Sequence, residues 1–280
     1  MMTAKRGARK GKLLKKSIGV ACLLMLVGWT GVFAADTVET YDQGAADFEF
    51  SMGIDGLNLD KYEKAVFGSV LVGYGLLPRF SGYVSLSAAA DEYLTYGESG
   101  YSFGLFGTPV DTDHFDLDLM LDIGMGGEGM GEMGVTPAIE LNFDLLPDLG
   151  RWGLYARLED SIVGRDESTP DDPATDADEA EKKYEINHGL NQTYGTYVTV
   201  ATRHQLLAEY YHLSNTNEAE GELASDLGGF ALGYNVMLTD DFELTSQVSY
   251  HPSHDEQDES WGAAVGIIVA IPGAPPAAGQ

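Results

Sequence analysis

The amino-acid sequence predicts an all-β fold, a transmembrane antiparallel β-barrel of about twelve strands. Three observations support this prediction. Apolar and polar residues alternate over many segments of strand length, the connecting segments fall into a short class and a long class, and the chain begins with an export signal. Together they indicate a barrel with short periplasmic turns and long acidic extracellular loops.

The N-terminus has the pattern of a secretory signal peptide. Seven Lys and Arg residues precede an apolar stretch over 18–33, and Ala34 follows it. Because this stretch is shorter than the roughly 20 residues of a spanning helix, we expect a cleaved signal peptide over 1–34 rather than a membrane anchor. The rest of the chain is predicted to form the barrel over 35–271 and a Pro-, Ala- and Gly-rich tail over 272–280.

The charge balance, the cysteine content and the acidic segments of the chain argue against several functions. The chain has 16 Lys and Arg against 44 Asp and Glu, whereas nucleic-acid binding needs a basic surface. The cysteine at Cys22 lies inside the predicted signal peptide, so the mature chain is expected to have no disulfide and no Cys-based metal site. The acidic segment 165–183 lacks the ordered ligand spacing and the glycine of a calcium loop. We therefore expect no metal and no cofactor.

Alternation with a period of two dominates from Phe48 onward. Phe48, Phe50 and Met52 alternate with polar residues, which places the apolar side chains on one face of a strand. Most such segments have a length close to the roughly 9–11 residues that a tilted strand needs to cross a bilayer. The predicted strands lie at 45–55, 65–77, 80–91, 101–110, 114–125, 135–146, 152–163, 184–201, 204–214, 227–238, 242–251 and 261–271.

The connections sort by length along the chain. Short turns are predicted at 77–79, 112–114, 147–151, 202–203 and 239–241, and longer acidic segments at 165–183, 215–226 and 252–260. If the first strand starts in the periplasm, every short turn lies on the periplasmic side, as in outer-membrane barrels. A soluble β-sandwich would also alternate, but it would not sort its loops in this way. The expected surroundings are outer-membrane lipid and lipopolysaccharide.

Two hairpins carry a family resemblance. The segments LGYNVMLTDDFELTSQVSY (232–250) and YGTYVTVATRHQLLAEYYH (194–212) resemble hairpins of the Gram-negative outer-membrane transporters found with phenol meta-cleavage pathways. The resemblance extends over most of the mature chain and consists of its strand-turn-strand pattern. It implies a transporter-like outer-membrane barrel.

The polar face of the strands is predicted to line the lumen, because the apolar face of a membrane barrel contacts lipid. A turn that pairs Leu145 with Trp152 also places Arg157 opposite Glu140, as a cross-strand ion pair. The predicted lumen-lining residues are Asp47, Glu49, Asp116, Asp118, Asp122, Glu140, Asp144, Arg157, Glu159, Glu185, Glu209 and Glu243. Such a lumen favours cations or small neutral polar solutes over anions. A narrow lumen filled by polar side chains is the alternative.

The segment EYYHLSN (209–215) raises a second possible function. Parity places His212 and Ser214 on the lipid-facing side, and Asp226 begins the next strand on that side. A serine hydrolase needs a hydroxyl, a histidine base and a third polar group. The segment resembles outer-membrane phospholipase A and lipid A deacylase barrels, in which a His-x-Ser-Asn stretch is followed by an Asn or Glu partner, although Thr216 stands where those enzymes have a small residue.

The sequence thus predicts an outer-membrane channel or transporter-like barrel for passive passage of small polar or cationic solutes. An outer-leaflet lipid esterase that uses His212, Ser214 and Asp226 is one alternative. In the simpler interpretation of that segment, its aromatic residues and His212 belong to the aromatic girdle at the membrane surface. A structural or adhesive barrel that acts through its acidic loops is the other alternative.

Overall fold

The fold consists of twelve β-strands in the part of the chain that the computed structural model describes, residues 40–57, 65–91, 97–126, 132–145, 152–166, 184–201, 203–215, 227–253 and 259–273. The strands are β1 (Ala46–Leu57), β2 (Ala65–Leu77), β3 (Phe80–Asp91), β4 (Gly97–Asp111), β5 (Phe115–Gly126), β6 (Glu132–Asp144), β7 (Trp152–Asp166), β8 (Tyr184–Val200), β9 (His204–Asn215), β10 (Leu227–Thr239), β11 (Phe242–His251) and β12 (Ser260–Ile271).

Each strand pairs with its sequence neighbours in antiparallel fashion, and β1 pairs with β12 to close the barrel. An even number of strands permits this closure, because the first and last strands then run in opposite directions. The closed sheet has no free edge, so the backbone groups of every strand have pairing partners on both sides. The predicted fold class is therefore confirmed.

Two of the strands show why some predicted boundaries need correction. β4 begins at Gly97 rather than at 101, because Gly97 pairs with Ala90 of β3 although its segment lacks apolar alternation. β7 ends at Asp166 rather than at 163, because its pairing with β8 continues up to Tyr184. In both cases the neighbouring strand extends the pairing beyond the apolar pattern.

The two faces of the sheet differ in polarity, as the alternation predicts. In β1 the side chains of Phe48, Phe50 and Met52 are exposed, whereas Ser51 is buried inside the barrel. Exposed Leu, Val, Ile and aromatic side chains continue this outer apolar surface around the other strands. Within the described ranges, no helix is long and apolar enough to span a membrane.

Aromatic pairs lie near both ends of the outer surface. The turn end of the barrel is the end with the short turns at 78–79, 112–114 and 240–241, and the loop end is the opposite one. The rings of Phe115 and Phe143 are 5.0 Å apart at the turn end. At the loop end the rings of Tyr250 and Trp261 are 4.6 Å apart, and Tyr210 lies against Phe230. Such rings are typical of the two membrane interfaces of a barrel.

A short segment before β1 enters the turn end of the barrel. The Gly44 amide donates to the Gly75 carbonyl at 2.8 Å. The Tyr41 amide donates to Ser81 Oγ at 2.9 Å, and the Tyr41 ring packs edge-on against Phe106 at 5.4 Å. A Cβ atom at Gly73 would lie 2.1 Å from the Tyr41 ring, so glycine is what leaves room for it. The segment therefore narrows the lumen at this end.

Candidate functional site

Arg157 lies at the centre of a buried polar network inside the barrel. Its Nε donates to Glu140 Oε2 at 2.5 Å, and its Nη1 lies 3.9 Å from Glu159 Oε1. The β6–β7 register pairs Glu140 with Arg157, as the sequence predicts from the turn between these strands. Glu140 is 0% exposed and Arg157 is 7% exposed. Because water does not reach these charges, the pairing compensates part of the cost of burying them.

Inward-facing tyrosines lie across glycines and form hydrogen bonds with polar groups two strands away. Tyr155 of β7 crosses β8 at Gly195, and its hydroxyl donates to Glu209 of β9. A Cβ atom at Gly195 would lie 2.1 Å from Tyr155 Cζ, so the ring needs glycine beneath it. The arrangement recurs in Tyr83 over Gly104 to Asp122, Tyr197 over Gly153 to Asp144, and Tyr211 over Gly229 to His251.

Other buried carboxylates also accept hydrogen bonds. Thr108 Oγ1 and Asn142 Nδ2 donate to Asp118 at 2.6 and 2.9 Å, and Asn191 Nδ2 donates to Glu159 at 2.8 Å. We call strands β4–β9 the packed wall, because these side chains fill the adjacent part of the lumen. Within the described chain, the buried Oδ1 atoms of Asn142 and Asn191 have no hydrogen-bond partner from the protein. Such groups are usually satisfied by internal water.

On the facing wall, β12 carries much smaller inward side chains. We call β11, β12 and β1 the small-residue wall. With the exception of Ile268, every inward residue of β12 is Gly or Ala, namely Gly262, Ala264, Gly266 and Ala270. Glu49 and Glu243 both pair with Ile268 and flank it from either side, and Asp47 pairs with Ala270 nearer the turn end. All three carboxylate residues are partly exposed inside the barrel. The inner face of β12 is therefore lined mostly by small residues, with carboxylates on the strands to either side.

The remaining predicted lumen residues lie near the barrel ends. Asp116 is partly exposed at the turn end, where its Oδ1 accepts the Thr112 amide at 3.1 Å. Glu185 belongs to β8, but its side chain lies outside the described residues. Among the described residues, no group of three or more His, Cys, Asp and Glu side chains is placed to hold a metal ion.

His251 is an inward residue that the sequence interpretation missed. Its Nδ1 lies 2.9 Å from the Tyr211 hydroxyl, and its Nε2 lies 3.6 Å from Asp55 Oδ1. The pattern that identifies it is parity along β11, because His251 lies on the same face as Glu243. The contacts of the inward tyrosines have no local sequence signal, because each depends on the registers of two strand pairs.

The predicted esterase residues lie partly in the described chain. His212 and Ser214 of β9 are on the outer surface near the loop end, since Leu213 between them is 3% exposed and inward. Ser214 Oγ donates to the Leu190 carbonyl at 3.5 Å rather than to the His212 ring. Asp226 lies outside the described residues.

Comparisons with solved structures agree with this architecture. An outer-membrane channel from Pseudomonas putida F1 has a TM-score of 0.58 at 11% identity, with 83% of this chain and 97% of that chain covered. The NanC porin has a TM-score of 0.56 at 9% identity, with 79% and 98% covered. The KdgM porin, solved in complex with disordered oligogalacturonate, has a TM-score of 0.52 at 9% identity, with 80% and 98% covered.

The chain is a bacterial outer-membrane β-barrel. Closure of twelve antiparallel strands, an exposed apolar outer surface and the fold shared with known outer-membrane barrels support this assignment. No protein-family model and no curated protein sequence matches the chain.

Proposed function

We propose that this barrel is a passive outer-membrane channel for small cations and small polar solutes. The observation that supports it most directly is the position of Asp47, Glu49 and Glu243 on the small-residue wall, where their side chains are partly exposed inside the barrel. Fixed negative charge in a narrow lumen attracts cations and repels anions.

The proposed route runs along β12 rather than along the barrel axis. The packed wall fills its side of the lumen with buried polar side chains, whereas the inward Gly and Ala residues of β12 occupy little volume, so we infer that the route lies beside them. Glu49 and Glu243 flank this route at Ile268. The segment with Tyr41 narrows it further at the turn end. A narrow route of this kind suits ions and small solutes rather than large ones.

We also propose a family relationship for this chain. The hairpin pattern over 194–212 and 232–250 supports a relationship to the outer-membrane transporters found with phenol meta-cleavage pathways. We expect outer-membrane lipid and lipopolysaccharide to surround the barrel, and we expect residues 1–34 to form a cleaved signal peptide.

Reversal potentials in planar bilayers test the channel proposal. Under a KCl gradient, we expect the wild-type barrel to prefer K⁺, and we expect the triple variant Asp47→Asn/Glu49→Gln/Glu243→Gln to shift the reversal potential towards zero. Asp160→Asn is the matched control, because Asp160 lies on the outer face of β7 and should leave the reversal potential unchanged. An equal shift in both variants would rule out the small-residue wall as the route.

A further inference from the structure

We propose that Asp55, Ser249 and His251 form a binding site for a divalent transition-metal ion of the Zn²⁺ class, inside the barrel at its loop end. The site goes beyond the proposed channel function, because an ion can bind there whether or not the lumen conducts. The ion is an exchangeable ligand rather than a resident cofactor.

A bulge in β1 lies opposite a glycine of β12 at this position. The register of β1 against β12 shifts between Ile54 and Leu57, so β1 has one extra residue there and Gly262 lies opposite the bulge. A β-bulge bends its strand and redirects a side chain. Asp55 belongs to the bulged segment, and a Cβ atom at Gly262 would lie 3.0 Å from Asp55 Oδ1. The bulge therefore places the carboxylate over the glycine.

Ser249 approaches the same glycine from the other neighbouring strand. It pairs directly with Gly262 across the β11–β12 ladder. A Cβ atom at Gly262 would collide with Ser249 Oγ, so the hydroxyl oxygen and the oxygen of Asp55 converge above the glycine. A residue with a side chain at this position would prevent that convergence.

His251 brings an imidazole nitrogen to the same carboxylate. It lies two residues after Ser249 on the inner face of β11, and its Nε2 lies 3.6 Å from Asp55 Oδ1. This separation is long for a hydrogen bond. It is close to the distance between two ligands of one ion, because tetrahedral bonds of about 2.0–2.2 Å from Zn²⁺ put two donor atoms roughly 3.4 Å apart.

Tyr211 holds the imidazole in place. Its ring lies over Gly229 of β10 and packs edge-on against the His251 ring at 5.5 Å. Its hydroxyl oxygen lies 2.9 Å from Nδ1 and 3.1 Å from Nε2 of His251. A metal-binding histidine usually donates its other N–H to an oxygen atom, which leaves the lone pair on the ligating nitrogen. Tyr211 can accept from Nδ1 in this way, and Nε2 is then the ligand.

The donor atoms determine the class of ion. Imidazole suits Zn²⁺, Cu²⁺ and Ni²⁺, whereas Ca²⁺ and Mg²⁺ prefer sites built of oxygen ligands alone. The Asp55 side chain is 37% exposed and the His251 side chain is 11% exposed, so an ion can reach the pair from inside the barrel. A carboxylate accepts several bonds at once, so ligation by Oδ1 is compatible with the other contacts of Asp55.

The small number of protein ligands makes the binding weak. One imidazole, one carboxylate and one hydroxyl are fewer and weaker ligands than the set that closes a structural zinc site, so water completes the coordination. An ion held in this way exchanges readily. Such a site suits the lumen of a channel, where an ion must bind well enough to enter and weakly enough to leave.

Isothermal titration of the folded barrel with ZnCl₂ tests the site. The full barrel in detergent micelles is titrated in excess MgCl₂, which occupies sites made of oxygen ligands alone, and heat-shifted gel migration verifies that each variant is folded. We expect one Zn²⁺ per barrel. His251→Gln and Asp55→Asn should each weaken binding at least about 10-fold, since even the partners of a metal ligand contribute that much. His212→Gln is the matched control, because His212 is an outward histidine near the same end.

Gly262→Ala tests the geometry without removing a ligand. The added Cβ atom occupies the point where the oxygens of Ser249 and Asp55 converge, so we expect a similar loss of binding. Gly124→Ala is its control, because a Cβ atom there has its nearest neighbour at 3.7 Å, and it should bind like the wild type.

Two results would overturn the proposed metal site. One is the absence of saturable Zn²⁺ binding by the folded wild type in excess MgCl₂. The other is equal binding by the wild type and either His251→Gln or Gly262→Ala. Preference for K⁺ without Zn²⁺ binding would remove this site and keep the proposed channel, whereas Zn²⁺ binding without conductance would do the reverse.

Discussion

At Arg157 a positive charge is buried between carboxylates on adjacent positions of the packed wall. Its bond to Glu140 is short, and neither side chain reaches bulk water. Removing one partner of a buried ion pair leaves the other charge without compensation, which is more costly than never having the pair. The pair therefore constrains which residues the wall tolerates.

Arg157→Met should destabilise the barrel strongly. We expect a loss of about 3–5 kcal/mol in the free energy of unfolding, because Glu140 and Glu159 stay buried without their cation. Urea unfolding in lipid vesicles measures it. The double variant Arg157→Met/Glu140→Gln should recover part of that loss, and strictly additive effects would contradict the buried pair.

This pair could be predicted from the sequence, whereas the tyrosine contacts could not. A tight turn sets the register of its two strands, so the position of one pair determines the others. A tyrosine that crosses a glycine to a third strand depends on two registers and on ring orientation. The local sequence pattern around Tyr155 specifies neither the two registers nor the ring orientation, although alternation places both Gly195 and Glu209 on the inner face.

Between strands, the crossing tyrosines connect elements that do not pair with one another. Tyr155 links β7 to β9 over Gly195, and Tyr197 links β8 to β6 over Gly153. Each link ties three strands together on the inner face. The strands themselves followed from the period-two pattern, but the start of β4 did not, since the partner strand rather than apolar alternation determines it.

Gly195→Ala should displace the Tyr155 ring and break its bond to Glu209. We expect a loss of about 1–3 kcal/mol in the free energy of unfolding, the usual range for overpacking. Gly124→Ala is the matched control, because a Cβ atom there has its nearest neighbour at 3.7 Å, an ordinary contact. Equal stability of the two variants would refute the crossing arrangement.

The segment before β1 should limit conductance. Tyr41→Ala removes the ring that lies against Phe106 and over Gly73, so we expect a larger single-channel conductance. Tyr101→Ala serves as the control, because Tyr101 is exposed on the outer surface. If both variants conduct like the wild type, the ring does not narrow the route.

In the whole molecule, the two inner walls differ in what they contribute. The packed wall holds buried and mutually bonded polar groups, which stabilise the barrel. The small-residue wall places Glu49 and Glu243 on either side of β12, whose inward residues are mostly Gly and Ala. The sequence predicted an acidic lumen, but it could not predict this division, because parity places residues inside without stating which of them engage one another.

The sign of the ion selectivity of single channels tests the central claim most directly. Wild-type barrel in a planar bilayer under a KCl gradient should give open channels whose reversal potential indicates preference for K⁺ over Cl⁻, because accessible carboxylates border the route. Folded barrel that gives no conductance, or that prefers Cl⁻, would contradict the claim.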